Sequence, residues 1–292
     1  MTQNIDQIAA KSLGDSTSYA VYTTEYDVSL LNAMPRNTTR AEQSYVASEF
    51  GVDVWHCYEA TFLNPQGRPV SGILKIVYDS NSPYMVESKS IKLFLNSFDM
   101  CKLQSSDEYV DIIKSELSKL LETDVKVAFS THVSFPDVLR DIGVNLDDIE
   151  ISDEPFVYDG DYQLTKKVKS DGDLSTFVCR SLRSRCRHTK QKDTGTVVIE
   201  TFGDVTVDQE ELLRLIVSLR EKNEFHEFCA DMLYTELTQF LGEGVEVSVS
   251  MFYTRRGSLD INPLRMTSGF TSSVFVTDYS NPDLCVRIAS NQ

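Results

Sequence analysis

Two stretches of alternating residues, each following a helical pattern, limit the folds open to this chain. Apolar side chains occupy every second position from Val245 to Tyr253, and residues 125–130 carry a shorter version of the same pattern. Such alternation predicts antiparallel strands with one face in the core and the other in water. The joints that lead into them, LLETDVKVAF and FLGEGVEVSVSMF, resemble each other, which favours an internal duplication.

Both halves of the sequence give the same order of predicted elements, strand–strand–helix–helix–strand. Turn residues at 64–67 predict a hairpin, and Ser105 to Glu108 resembles a capping box at a helix start. The predicted strands cover residues 52–63, 72–78, 177–187 and 196–202, and the predicted helices begin near residues 88, 106, 209 and 225. We therefore predict an α+β fold of two similar modules, residues 1–165 and 166–292.

Charge and apolar content restrict the classes of function. The chain has a net charge of −16, and half of this excess lies in residues 136–162, an acidic connector with nine acids and one base. Strong acidity argues against nucleic-acid binding, because phosphate contacts need a basic surface. The sequence has neither a long apolar run nor an apolar leader, and its six cysteines are scattered. These features predict a cytoplasmic protein with free thiols and no membrane segment.

A reversal of local charge surrounds Cys186. Nine Lys and Arg residues lie between Lys166 and Lys192, against two acids. Nearby cations stabilise a thiolate, which is the nucleophilic form of cysteine, so Cys186 is a candidate nucleophile. The alternative is a small buried hydrophobe beside a solvated basic face.

Residues 87–98 place a carboxylate, two hydroxyls and a lysine where a strand leads into a helix. The free N–H groups of a helix start, together with Lys89, would suit a phosphate. Glu87 could accept paired N–H donors from a guanine-like base edge. The alternative is a plain N-cap with surface charges.

Other short patterns are weaker. Gly242 and Gly244 lead from a helix into a strand, which is the reverse of a dinucleotide-binding fingerprint. His226 and Cys229 have the spacing of zinc ligands, but no second pair accompanies them. A hydrolase that pairs Cys186 with His226 stays open as an alternative.

Taken together, these motifs resemble the NADPH-dependent 7-cyano-7-deazaguanine reductases, the nitrile reductases of queuosine biosynthesis, in their long bimodular form. Residues 87–93 match the Glu-Ser-Lys-Ser signature of that family, and Cys186 and Asp193 match its reactive loop. Further matching segments follow in the same order, at residues 27–36, 218–227 and 253–263. The sequence departs from the family at Arg185, where Asn is common, and at Lys192, where Pro is common.

The resemblance implies two tandem tunnelling-fold (T-fold) modules, an antiparallel sheet packed by paired helices, and a homodimer. It implies four-electron reduction of a nitrile by NADPH, with Cys186 forming a covalent thioimide, Asp193 as proton donor and His226 assisting the reduction. We expect burial to keep Asp193 protonated. The implied contacts to the deazaguanine are Val86, Glu87, Ser88, His226 and Glu227. The implied contacts to NADPH are Ser88, Lys89, Arg256 and Gly257.

No metal ligand is implied. Two alternatives on the same fold remain at this point, a zinc-dependent cyclohydrolase and a non-catalytic protein that binds purines or pterins.

Overall fold

The computed structural model describes residues 25–131, 142–187 and 189–270. Within these ranges the chain forms twelve β-strands and five α-helices. The strands are β1 (Ala33–Pro35), β2 (Phe50–Leu63), β3 (Pro69–Asp79), β4 (Tyr84–Val86), β5 (Val125–Ser130), β6 (Val144–Asn145), β7 (Lys167–Lys169), β8 (Leu174–Arg185), β9 (Lys192–Phe202), β10 (Val205–Val207), β11 (Glu246–Tyr253) and β12 (Leu259–Met266). The helices are α1 (Arg36–Gln43), α2 (Ser88–Asn96), α3 (Ser106–Leu121), α4 (Gln209–Ser218) and α5 (His226–Leu241).

One sheet of eight strands runs through both halves of the chain, in the order β5-β3-β2-β12-β11-β9-β8-β6. Its neighbouring strands are antiparallel except for the short parallel pair of β6 and β8. Strand β12 belongs to the second half by sequence, yet it pairs with β2 of the first half along its whole length. The predicted α+β class, with an antiparallel-dominated sheet, is confirmed.

Each half packs two helices on one face of this sheet. Helices α2 and α3 cover β2, β3 and β5 in one apolar core, while α4 and α5 cover β8, β9 and β11 in another. Phe228 of α5 lies in the core of the first half, so the two cores meet at the start of that helix. The five predicted elements occur in the predicted order in each half. The structure adds elements that the prediction lacked: helix α1, strand β12 and the short strands β1, β4, β6, β7 and β10. Across the described residues, no helix has the length and apolar content needed to cross a membrane.

The local turns and caps follow from the residues that were singled out in the sequence. The side-chain oxygen of Asn64 accepts hydrogen bonds from the N–H groups of Gln66 and Arg68, which closes the turn between β2 and β3. At the start of α3, the Ser105 hydroxyl accepts a hydrogen bond from the Glu108 N–H at 3.2 Å. This cap satisfies a helix N–H that would otherwise lack a partner.

Strand β11 does not have the solvent-facing side that its alternation predicts. Ser248 and Ser250 are each 1% exposed, and Glu200 on the adjacent strand is equally buried. Val198 and Phe252 form part of a third apolar cluster on this side of the sheet. The expectation of one wet face is therefore wrong, because the strand lies in the middle of a sheet with both faces covered.

The acidic connector is partly described. Residues 142–162 contain β6 and one turn of 3-10 helix, Leu146–Asp148, and are otherwise irregular, while residues 132–141 lie outside the described ranges. The carboxylate of Asp147 accepts a hydrogen bond from the backbone N–H of Arg180 at 2.6 Å. This contact ties the connector to β8, next to the reactive loop.

Candidate active site

Cys186 follows the last residue of β8 and opens the turn that leads into β9. Its N–H donates to the carbonyl of Gln191 at 2.9 Å, and its own carbonyl accepts from the N–H of Lys190 at 3.0 Å. Lys190 adopts the left-handed backbone conformation, with a φ of 58°. On the other side, the backbone of Arg185 makes two hydrogen bonds to the segment before α5. The backbone around the half-buried Cys186 is therefore fixed from two directions.

The basic run beside Cys186 is largely paired with acids. Arg183 and Arg185 both form ion pairs with Glu221, and Arg187 lies 3.4 Å from a carboxylate oxygen of Glu224. These carboxylates lie between α4 and α5, a region that the sequence pattern did not connect with the loop. They offset part of the positive charge that the sequence places around the cysteine.

The cation that contacts the Cys186 side chain is Arg256, which follows β11. Its Nη1 atom lies 2.7 Å from Oδ1 of Asp193, and its Nη2 atom lies 3.2 Å from the Thr189 hydroxyl. The same guanidinium contacts the side-chain oxygen of Gln191 and hydrogen-bonds the sulfur of Cys186. One arginine therefore gathers the thiol, the carboxylate and the loop between them.

Asp193 is ionised at this site. Its side chain is 3% exposed, and its Oδ2 atom lies 3.4 Å from Nε2 of His226. Burial by itself would raise its pKa, but His226 and Arg256 outweigh burial and hold the pKa below its usual value. The expectation that burial keeps this carboxyl protonated is wrong, because His226 and Arg256 together lower its pKa by more than burial raises it.

His226, the first residue of α5, lies between Asp193 and an aromatic ring. Its imidazole packs on Tyr253, with ring centroids 3.9 Å apart. Tyr253 is buried, and its hydroxyl lies 3.5 Å from that of Ser184 on β8. Sequence reasoning missed Tyr253, whose signal was only its place at the end of an alternating strand. The ring fixes the imidazole plane beside the carboxylate.

Glu227 follows His226 and is 2% exposed. Burial, and after it the nearby Asp53, raise the pKa of its carboxyl, whereas His226 and Arg36 lower it, and the net pKa is about 7. A carboxylate accepts two parallel N–H donors only when it is ionised. The residue therefore titrates in the range where its ability to bind such donors changes.

Glu87 caps α2 in this structure. Its carboxylate accepts hydrogen bonds from the N–H groups of Lys89 at 2.9 Å and Ser90 at 2.8 Å. Of the two interpretations of this helix start, the structure shows the plain N-cap, since the helix satisfies these N–H groups with its own side chain. Ser88 and Lys89 are exposed at this helix start, while Val86 packs into the core of the first half.

The turn at Gly257 lies against α2. Its φ is +65°, and a Cβ atom at this position would clash with Nζ of Lys92. Lys92 is one turn beyond Lys89, so both ammonium groups project from the same side of the helix. The structure thus brings α2 next to the turn that carries Arg256, although about 165 residues separate Lys92 from Gly257 in the sequence.

No three His, Cys, Asp or Glu side chains come together as possible metal ligands in the described parts of the chain. The spacing of His226 and Cys229 does not produce a site there, because Cys229 is buried against Tyr253 and Ser184.

The fold and these contacts define a class: an α+β protein in which one arginine contacts both a cysteine and a carboxylate, with a histidine from a helix start beside the carboxylate. The family model described as nitrile reductase, 7-cyano-7-deazaguanine-reductase N-term, matches residues 22–129. An NADPH-dependent 7-cyano-7-deazaguanine reductase of Cupriavidus metallidurans is 36% identical over 253 residues, which cover 84% of this chain and 90% of that protein. The chain therefore belongs to the 7-cyano-7-deazaguanine reductase family.

Proposed function

We propose that this protein reduces the nitrile of 7-cyano-7-deazaguanine to 7-aminomethyl-7-deazaguanine with NADPH, in the biosynthesis of queuosine in tRNA. Membership of the family supports the reaction. The observation that carries the assignment of residues is the contact of one guanidinium, that of Arg256, with both Cys186 and the ionised Asp193.

Because Asp193 is ionised, it can take the proton of the Cys186 thiol and pass it to the nitrile nitrogen in the first step. As the sulfur of Cys186 attacks the nitrile carbon, Asp193 accepts the thiol proton. One bond of the nitrile opens, its electron pair moves to nitrogen, and Asp193 returns the same proton there. The thioimide forms with no proton taken from solvent. Asp193 is then the proton donor that the family resemblance implies, but it obtains its proton from the cysteine.

Two reductions follow, because the first converts the thioimide carbon only to the level of an imine. When bound, NADPH supplies one hydride in each, so that a nitrile, two NADPH and two protons give an amine and two NADP⁺. The side chain of His226 covers the carboxylate that faces nitrogen, and it is placed to pass a proton during these steps. A closed site would keep water from the imine between the two reductions.

Substrate recognition rests on the residues around the two carboxylates of Glu227 and Glu87. Glu227 would accept two N–H donors of the guanine-like edge, with His226 beside it. Glu87 accepts three hydrogen bonds within α2, from the N–H groups of Lys89 and Ser90 and from the Ser88 hydroxyl, and a carboxylate has about four acceptor sites, so it could still accept from the ligand. Val86 and Ser88 flank it at the same strand-to-helix junction.

The residues proposed for NADPH fit an anionic ligand. Lys89 and Ser88 are exposed at the start of α2, and Lys92 meets the turn of Gly257. Arg256 completes this group, although its guanidinium is shared with Asp193. A loss of activity on removing Arg256 would therefore combine two effects, whereas Lys89 reports on the cofactor alone.

Replacement of Lys89 by Ala is expected to raise the Michaelis constant for NADPH more than that for NADH, since only NADPH carries the additional phosphate. A charge-assisted hydrogen bond contributes roughly 1.5–3 kcal/mol, so the ratio of the two constants should change about tenfold or more. Steady-state kinetics with both cofactors measure this. Lys114→Ala, which removes an exposed cation from α3, is the matched control and should leave the ratio unchanged. Equal effects of Lys89→Ala on both cofactors would contradict the role.

The proposed assembly follows from the repeated halves. Each half contributes strands, a pair of helices packed on the sheet (α2 and α3, or α4 and α5) and a short two-stranded pair, β1–β4 or β7–β10. The second strand of each short pair leads into the first of those two helices. This repetition supports two tandem T-fold modules, residues 1–165 and 166–292, in a cytoplasmic homodimer. The outer strands β5 and β6 are the sheet edges through which two copies could join.

Incubation with 7-cyano-7-deazaguanine in the absence of NADPH tests the function. We expect the intact mass to rise by the whole mass of the nitrile, because the thiol adds without a leaving group, and we expect NADPH to remove this adduct with release of the amine. Stoichiometric zinc and no adduct would instead indicate the cyclohydrolase alternative. Reversible binding without a change in mass would indicate a non-catalytic binding protein.

A further inference from the structure

Five buried charged side chains form a row of ion pairs that takes no part in the reaction steps proposed for Cys186, Asp193 and His226. Arg36 Nη2 lies 2.8 Å from Asp53, Arg265 bridges Asp53 at 2.8 Å and Asp231 at 2.6 Å, and Arg40 lies 2.8 Å from Asp231. All five side chains are buried. They come from α1, β2, α5 and β12, so the row connects the first half of the chain to the helix that begins with His226.

This row, which runs from Arg36 to Arg40, contacts Glu227 through its middle residue, Arg265. Arg265 donates from Nη2 to the backbone carbonyl of Glu227 at 3.4 Å. The carboxylate of Glu227 interacts electrostatically with Asp53 and Arg36. The row alone has three arginines and two aspartates, a net charge of +1. Buried charges are stable when they are balanced, and an ionised Glu227 would complete three pairs.

Arg36, the residue at one end of the row, has N–H groups that donate no hydrogen bond. Its Nε and Nη1 atoms are buried and have no hydrogen-bond partner in the described structure. Its guanidinium lies 6.0 Å from the ring centre of Tyr78, whose hydroxyl is also buried without a partner. Leaving N–H groups of a buried cation unsatisfied is costly, so they indicate an acceptor that becomes available when the site is in use.

We propose that Arg36 is a positioning residue for Glu227: held by Asp53, it supplies the positive charge that keeps the buried carboxylate of Glu227 ionised while that carboxylate receives the N–H donors of the base. This inference rests on the proposed function. It gives helix α1, which contributes no residue to the proposed reaction steps, a role in recognising the substrate.

The charges that face Glu227 agree with this role. Burial and Asp53 raise its pKa while His226 and Arg36 lower it, and the net pKa is about 7. Tyr78 and the positively charged Arg265 also face this residue. Below this pKa the carboxyl is protonated and cannot accept two N–H donors. Affinity for the nitrile should therefore rise as the pH increases through neutrality. Loss of Arg36 should move the rise to higher pH, and loss of Asp53 should move it to lower pH.

The test measures the dissociation constant of 7-cyano-7-deazaguanine by calorimetry between about pH 5.5 and about pH 8.5. All variants carry Cys186→Ala, so that binding stays reversible. Arg36→Met should shift the midpoint upward by about one pH unit or more. Asp53→Asn should shift it downward. Arg40→Met is the matched control, since it breaks an ion pair at the far end of the same row and should leave the midpoint in place.

Two further variants identify the group. Arg36→Lys should return the midpoint of the pH dependence close to its original value, because lysine restores the positive charge at this position. Glu227→Gln should remove the inflection, and one that survives there would belong to another group, such as His226, and overturn the proposal. Equal shifts in Arg36→Met and Arg40→Met would also overturn it. If Arg36→Met does not fold, the direction of the Asp53→Asn shift decides. Adduct formation by the unmodified protein, measured separately, shows whether the proposed function itself fails.

Discussion

Cys186→Ala is expected to lose both the covalent adduct with 7-cyano-7-deazaguanine and the oxidation of NADPH. The sulfur of Cys186 forms the bond that activates the nitrile, and no other group at the site can replace it. Removal of a catalytic nucleophile typically lowers the turnover number on the order of 10⁴-fold or more. Intact mass and cofactor absorbance measure the two losses on the same sample.

The other described cysteines are poor candidates for this bond. Burial raises the pKa of Cys57 to about 11, that of Cys179 to about 11 and that of Cys229 to about 12, so these thiols stay neutral at physiological pH. Cys101 is half-buried, but its sulfur donates to the backbone carbonyl of Ser97, away from any cation in the site. Cys186 differs from all four in its contact with Arg256.

Cys101→Ala is therefore the matched control for loss of a partly accessible thiol. It should form the adduct and turn over at the unmodified rate. Cys186→Ser tests the nucleophile more closely, because it keeps the size of the side chain while weakening its reactivity. Turnover in Cys186→Ala near the unmodified rate would show that the assignment of the nucleophile is wrong.

Local patterns in the sequence were sufficient for most elements of the fold. The hairpin of β2 and β3, the capped start of α3 and the existence of strand β11 depend on residues close together in the chain, and all three are confirmed. Strand β12 was missed. Its residues had been treated only as a family motif, and its place between β11 and β2 depends on pairing across about two hundred residues, which no local period reports.

The charge states of the site residues were harder to predict from the sequence than their identities. The sequence indicated Asp193, but its charge state depends on Arg256 and His226, which reach it from other elements. The sequence also suggested that the basic run surrounds Cys186, whereas Glu221 and Glu224 pair with those arginines. In both cases the deciding partner lies far away in sequence, so pKa arguments from neighbouring residues alone were misleading.

The roles of Asp193 and His226 should separate by reaction step. Asp193→Ala is expected to slow formation of the thioimide itself, even without NADPH, because no carboxylate would move the proton from sulfur to nitrogen. General acid–base groups typically contribute about 10²–10⁴-fold. His226→Ala should form the adduct at a rate within about tenfold of normal, since Arg256 still holds Asp193 ionised at 2.7 Å. It should then reduce the adduct slowly, because the group placed to pass protons in the later steps is gone.

Stopped-flow adduct formation, followed by single-turnover reduction, measures the two steps apart. Product analysis adds a second observable: His226→Ala removes the side chain that covers Asp193 beside Tyr253, so water can reach the imine and part of the product should appear as aldehyde. Asp193→Asn complements the alanine variant, because its amide oxygen can still accept from Arg256 but cannot carry a proton. Adduct formation as slow in His226→Ala as in Asp193→Ala would contradict the division. The imidazole would then act on the thiol directly, and the alternative of a Cys186–His226 pair would have to replace the relay through Asp193.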